Sequence, residues 1–153
     1  MKKVLSVTPA TGAVDAALLI ARIGIALLML SHGLPKMFML FSGEPVQFIP
    51  VFGMSAEVSL ALTVFAEVAC SILLLVGLGT RLAVIPLIIT MLVAAFVIHA
   101  ADPFAKQEPS LQYLLVYLVL LLAGSGKFSA DYLLQRKSAK VLHVKNSDTA
   151  LSA

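Results

Sequence analysis

Two charged residues stand where charge is expensive. Arg22 falls inside IARIGIALLMLSHGLPKM (residues 20–37), and Glu67 inside EVSLALTVFAEVACSILLLVG (residues 57–77); both stretches are otherwise nearly as apolar as hydrocarbon. An ionised side chain at the middle of a bilayer costs about 2.5–3.5 kcal/mol on insertion scales, so it needs a partner or a wet cavity. Counted from the same face at the rise of an α-helix, Arg22 lies ~10 Å deep and Glu67 ~15 Å deep. The long arginine side chain spans the difference, and an intramembrane Arg22–Glu67 ion pair is expected. Such a pair either supports a site or only sets the register of two helices, since buried pairs are weak evidence of net stability and sometimes act as specificity devices.

A second polar level gathers at the far ends of the same runs. His32 and Lys36 close the first run and Glu57 opens the second. His99 and Asp102 close the third, and Gln112 and Tyr113 open the fourth. Tyr113 and Tyr117 share a helical face at i and i+4. Apolar walls with a few convergent polar groups are the usual form of a small-molecule site. His32, Lys36, His99, Gln112 and Tyr113 are therefore the candidate pocket residues, and histidines there can also move protons near neutral pH. A His32–His99 pair on neighbouring helices could ligate haem iron or a metal, but without further ligands no metal site is expected, and the scattered methionines read as packing residues. Cys70, the only cysteine, excludes an intrachain disulfide and any paired-thiol redox motif.

The elements that must position these residues follow from composition. Of 153 residues, 60% are hydrophobic and 12% charged, and the mean hydropathy is +1.02. That cannot cover a water-exposed surface, so lipid is the expected solvent. Four runs approach the ~20 residues needed to cross a bilayer: about 15–34, 57–77, 82–101 and 110–126. Pro35 is expected to stop or kink the first. The segment 38–56, with Pro45, Pro50 and two glycines, is expected to lie at the interface or fold back over the helices. Although Lys2 and Lys3 imitate a signal peptide, the next apolar run carries Arg22 and no A-x-A-like site follows, so it reads as an uncleaved first span.

With four spans both termini share a side. That side holds Lys2, Lys3, Arg81, Lys127, Arg136, Lys137, Lys140 and Lys145, against Lys36 and Lys106 opposite. The excess places both termini in the cytoplasm. The expected fold is all-α: an integral membrane four-helix bundle over residues 1–134, followed by a basic, partly disordered cytoplasmic tail over 135–153. The tail reads as a solvated helix touching anionic headgroups, at up to about 1 kcal/mol per basic residue. The net charge of +3 sits mostly in that tail rather than among aromatics, which argues against nucleic acid as a partner.

Arg22, His32-Gly33 with Lys36, Glu67, the LLLVGLGTR stretch ending at Arg81, His99, and GSGKFSADYLL with Gly124, Gly126, Ser129 and Asp131 together resemble the DoxX family over residues 15–134. The long basic tail departs from that pattern. The resemblance implies a multi-pass protein of the bacterial cytoplasmic (inner) membrane. It is similar to a small subunit of a thiosulfate:quinone oxidoreductase, or to members linked to quinone, oxidative stress or membrane redox assemblies with soluble partners. The expected function is a quinone-associated subunit of a membrane redox system. The site would be His32, His99 or Tyr113 on the quinone carbonyls, supported from below by Arg22–Glu67. No intrinsic cofactor and no metal is evident, so electrons must come from a redox partner protein. The rivals are a non-catalytic membrane scaffold that docks a soluble redox or stress-response partner and, ranked last, a small transporter. Association into a homo-oligomer stays open.

Overall fold

The structure is a computed structural model and describes residues 11–138. Lys2, Lys3, Lys140, Lys145 and most of the basic tail lie outside the described residues. The described residues are all-helical with no strand. Helix α1 is Thr11–Phe41, α2 is Ala56–Val76 and α3 is Thr80–Ile98. Helix α4 is Phe104–Ala123, and a short helix, α5, covers 130–138. The first three are long and apolar enough to cross a membrane.

Each boundary has a local cause. Ser55 caps α2 by accepting a hydrogen bond from the Val58 amide at 3.3 Å, as an N-terminal cap should. Gly77, in the left-handed region at φ 74°, ends α2. The Leu78 amide returns to the Leu73 carbonyl at 2.9 Å and the Gly77 amide to the Leu74 carbonyl at 3.1 Å, a Schellman closure that satisfies otherwise orphaned carbonyls. Helix α1 does not stop at Pro35 but continues to Phe41. A proline costs one backbone hydrogen bond, and packed apolar helices accommodate that loss. Helix α4 starts at Phe104, ahead of the expected span, because Pro103 opens it as N-cap. Both α2 and α3 contain a π-helical turn, Phe65–Cys70 and Ala94–Ile98. Such wide turns recur at functional sites.

The helices pack in chain order, α1 on α2, α2 on α3, α3 on α4, and α4 also meets α1. The core between them contains Ile25, Ala26, Met29, Leu74, Val84, Leu87, Tyr117 and Leu120. Residues 42–55 carry no helix. They fold back so that Val46 and Phe48 pack on a second apolar cluster of Leu60, Val64 and Val68, the second of the two arrangements expected for this segment. On the outside, Ile20, Leu82 and Leu122 are more than two-thirds exposed, and many other large apolar side chains accompany them. Apolar exposure on that scale marks a surface made for lipid.

Candidate functional site

The buried carboxylate has a different partner from the one expected. Glu67 Oε1 lies 2.6 Å from Lys36 Nζ, and the Glu67 side chain is 3% exposed against 31% for Lys36. Gly33, one turn before Lys36, makes the approach possible. A Cβ there would sit 2.9 Å from Glu67 Cβ and 2.8 Å from Val68 Cγ2, so only glycine lets α1 come this close to α2. Arg22 does not reach Glu67. Side chains on a helix lean toward its N-terminus, which carries the Arg22 guanidinium away from Glu67 and brings Lys36 back toward it. Arg22 ends against Gly77, about ten residues or ~15 Å along α2 from Glu67.

Around the Lys36–Glu67 pair the structure gathers most of the expected pocket. His99 Nδ1 is 2.8 Å from Asp102 Oδ2, and Lys106 Nζ is 3.3 Å from Asp102 Oδ1. These two hydrogen bonds, from His99 first and Lys106 second, hold the Asp102 carboxyl below its ordinary range. Gln107 Nε2 donates to the His99 carbonyl at 2.9 Å and the Asp102 carbonyl at 3.2 Å, fixing the turn that carries the histidine. Gln107 was not expected from sequence; only the early start of α4 brings it there. His32 meets the Tyr113 ring edge-on at 6.0 Å between centroids, and Tyr113 lies 6.1 Å from Tyr117.

A cavity of about 300 Å³ is lined by His32, Lys36, Glu67, His99 and Tyr113, together with Met29 and Met91. A second cavity, about 270 Å³, touches Lys36, Glu67 and His99 from the side of Phe48 and Thr90. Glu67 Oε2 and the Tyr117 hydroxyl are buried without a hydrogen-bond partner, and groups in that condition call for water or a ligand. Gln112, expected in the pocket, is outside it. It is exposed and donates to Glu108 Oε1 at 3.0 Å. Being one residue from Tyr113, it points about 100° around the helix.

The opposite end is a fastening. Arg22 is 1% exposed, and its Nη2 donates to the Phe128 carbonyl at 2.7 Å. The Asp131 carboxylate accepts from the amides of Gly79 at 2.7 Å and Thr80 at 3.3 Å, capping α3. The Asp131 amide donates to the Gly77 carbonyl at 3.0 Å. Asp15 accepts from the Lys127 amide at 3.0 Å, and Ser129 caps α5 through the Tyr132 amide at 3.2 Å. GSGKFSAD is thus a clasp tying the end of α4 to the bases of α1 and α3. A cleft of about 520 Å³ beside it is lined by Asp15, Thr80, Arg81, Lys127 and Tyr132. Among the described residues no three His, Cys, Asp or Glu side chains converge as metal donors.

Apolar helices of spanning length, a lipid-suited surface and an ion-paired polar pocket define a multi-pass helical membrane protein. The family model of DoxX matches residues 17–100, more than half of the chain, and the chain belongs to the DoxX family. No curated protein and no solved structure matches it.

Proposed function

We propose that this protein is a quinone-associated subunit of a membrane redox system. The observation that carries the reading is the buried Lys36–Glu67 pair opening on a cavity shared with His32, His99 and Tyr113. Quinone carbonyls accept hydrogen bonds, and Lys36, Tyr113 and the two imidazoles supply donors within apolar walls. Asp102 orients the His99 ring through Nδ1, leaving Nε2 for a ligand. The unpartnered Glu67 Oε2 suits the hydroxyl of the reduced form. Electrons would pass to or from a partner protein, since the chain's own residues carry no obvious redox centre.

In this reading all four long helices span the bacterial inner membrane as a bundle, with both termini cytoplasmic. The clasp end then faces the cytoplasm and the His99 end the opposite side. A scaffold that docks a soluble partner is the second reading, and the cleft beside the clasp, with Arg81 and Lys127 at its edge, favours it.

The test is purification in mild detergent, with analysis of the organic extract. A stoichiometric quinone is expected, lost when His32→Ala and His99→Ala are combined. A quinone-free protein, or a double variant that binds and turns over quinol normally, would overturn the redox reading and favour the scaffold.

A further inference from the structure

The Lys36–Glu67 site has a side door. The cavity that touches Lys36, Glu67 and His99 from the Phe48 side shares Val51, Thr63, Thr90 and Val93 with a third cavity of about 330 Å³. That third cavity is bordered by Phe52, Leu62, Phe65 and Ile89, each more than half exposed on the lipid-suited surface. The compartments therefore run in series from the bilayer face, between α2 and α3, to the buried carboxylate.

The lining changes character along the way. At the neck, the Thr63 hydroxyl donates to the Ser59 carbonyl at 2.8 Å and the Thr90 hydroxyl to the Pro86 carbonyl at 2.9 Å. Their hydrogen atoms are already engaged, so the neck presents mainly methyl groups to a passing molecule. Beyond it stand Lys36, His99 and the unpartnered Glu67 Oε2. The segment over the passage is held in place. The Val51 amide donates to Ser59 Oγ at 3.2 Å, and Met54 closes a tight turn onto the Val51 carbonyl at 3.0 Å. Phe52 (φ 53°) and Gly53 (φ 75°) occupy the left-handed region in that turn. For a phenylalanine this is a strained conformation of the kind that clusters at ligand clamps.

We propose that the site takes a single-tailed amphiphile that enters laterally from the bilayer between α2 and α3. Its polar head rests at Lys36, Glu67 and His99, and its apolar chain lies in the neck and the outer cavity. The inference rests on the quinone reading for the head group and adds the tail and the route. Two small cavities in series suit one slim chain followed by a compact head, and the polar lining begins only past the neck.

The full chain contains no tryptophan, so a single introduced indole is the only one in the chain. Phe65→Trp places it at the entrance. Phe96→Trp, similarly exposed at 59% against 55%, places it on a lipid face outside the passage. In lipid nanodiscs, a benzoquinone with a decyl tail is expected to quench the Phe65→Trp protein saturably and the Phe96→Trp protein only in proportion to its lipid concentration. With probe concentrations referred to water and partition into empty nanodiscs subtracted, binding should be at least ~10-fold tighter for the tailed probe than for the tail-less one, from the methylenes buried in the neck. Thr90→Phe, which fills the neck, should remove that preference. Thr63→Leu replaces it if Thr90→Phe fails to fold.

If both probes bind the wild type equally and Thr90→Phe changes neither, the lateral passage is wrong and the head-group site stands. If neither probe binds the wild type above empty nanodiscs, the quinone reading falls and this inference with it.

Discussion

Lys36 and Glu67 are unequal partners, and that inequality makes a prediction at the residue scale. Glu67 is buried, while Lys36 keeps a water-facing edge. Removing the lysine leaves a desolvated carboxylate, and Lys36→Met is expected to cost about 3 kcal/mol, the lower end for breaking a buried pair. Adding Glu67→Met should recover most of that loss, because the uncompensated charge is gone. Chemical denaturation of both variants in detergent checks this; additive losses would show that the pair is not a unit. Asp102 supplies a second prediction. Its folded carboxyl is held below its ordinary range by His99 and Lys106, so it contributes stability above the unfolded carboxylate pKa and loses it as pH falls through the depressed value. Thermal scans from pH 6 downward should show wild type above Asp102→Asn at the start, with the gap closing in acid. A gap independent of pH would remove the charge from the explanation.

At the scale of elements, one glycine joins three of them. Gly77 ends α2 in a left-handed conformation. A Cβ there would collide with the Arg22 guanidinium, coming within 2.6 Å of Cζ, and would lie 2.8 Å from Ser129 Cβ in the clasp. Gly43 has nearly the same backbone, φ 76°, with nothing nearby. Gly43→Ala should therefore show the conformational cost alone, roughly 1 kcal/mol. Gly77→Ala should cost at least about twice that, because it also displaces Arg22 from the Phe128 carbonyl. Equal melting shifts for the two variants would mean that the arginine is not held by this contact. The helices themselves were largely legible in the sequence, because runs of apolar residues punctuated by Gly and Pro need no tertiary information. Their ends were less so. Pro35 reads as a stop or a kink in isolation, and α1 carries on to Phe41 and so delivers Lys36 to the pocket as part of the same helix.

At the scale of the whole molecule, charge is distributed by end. Arg81, Lys127, Arg136 and Lys137 lie toward the clasp, and Lys36 and Lys106 toward the His99 end. In the proposed orientation the clasp faces the cytoplasm. Cys70 is buried and is the only cysteine, so a Cys70→Ser background accepts single reporters. A membrane-impermeant maleimide added to intact spheroplasts should label Lys106→Cys, and should reach Arg136→Cys only after permeabilisation. The reverse pattern would invert the topology, and labelling of both from outside would mean an odd number of crossings.

The sequence alone determined the class of the protein: lipid-solvated helices, their approximate positions, and polar residues collected at one end. Those follow from composition and period, which are properties of single segments. Residue types and spacing also marked His32, Lys36, His99 and Tyr113 as candidates, and these four line one cavity; the family pattern carried the first three of them but not the tyrosine. The tertiary structure decided which charges meet. Arg22 and Glu67 sit at compatible depths on paper, but side-chain tilt along α1 and the close approach at Gly33 hand Glu67 to Lys36 and send Arg22 to the clasp. Gln112 left the pocket and Gln107 came to hold the His99 turn for a related reason. The start of α4 and the turn before it set which face looks inward, and that angle is fixed by neighbouring helices rather than by residue spacing.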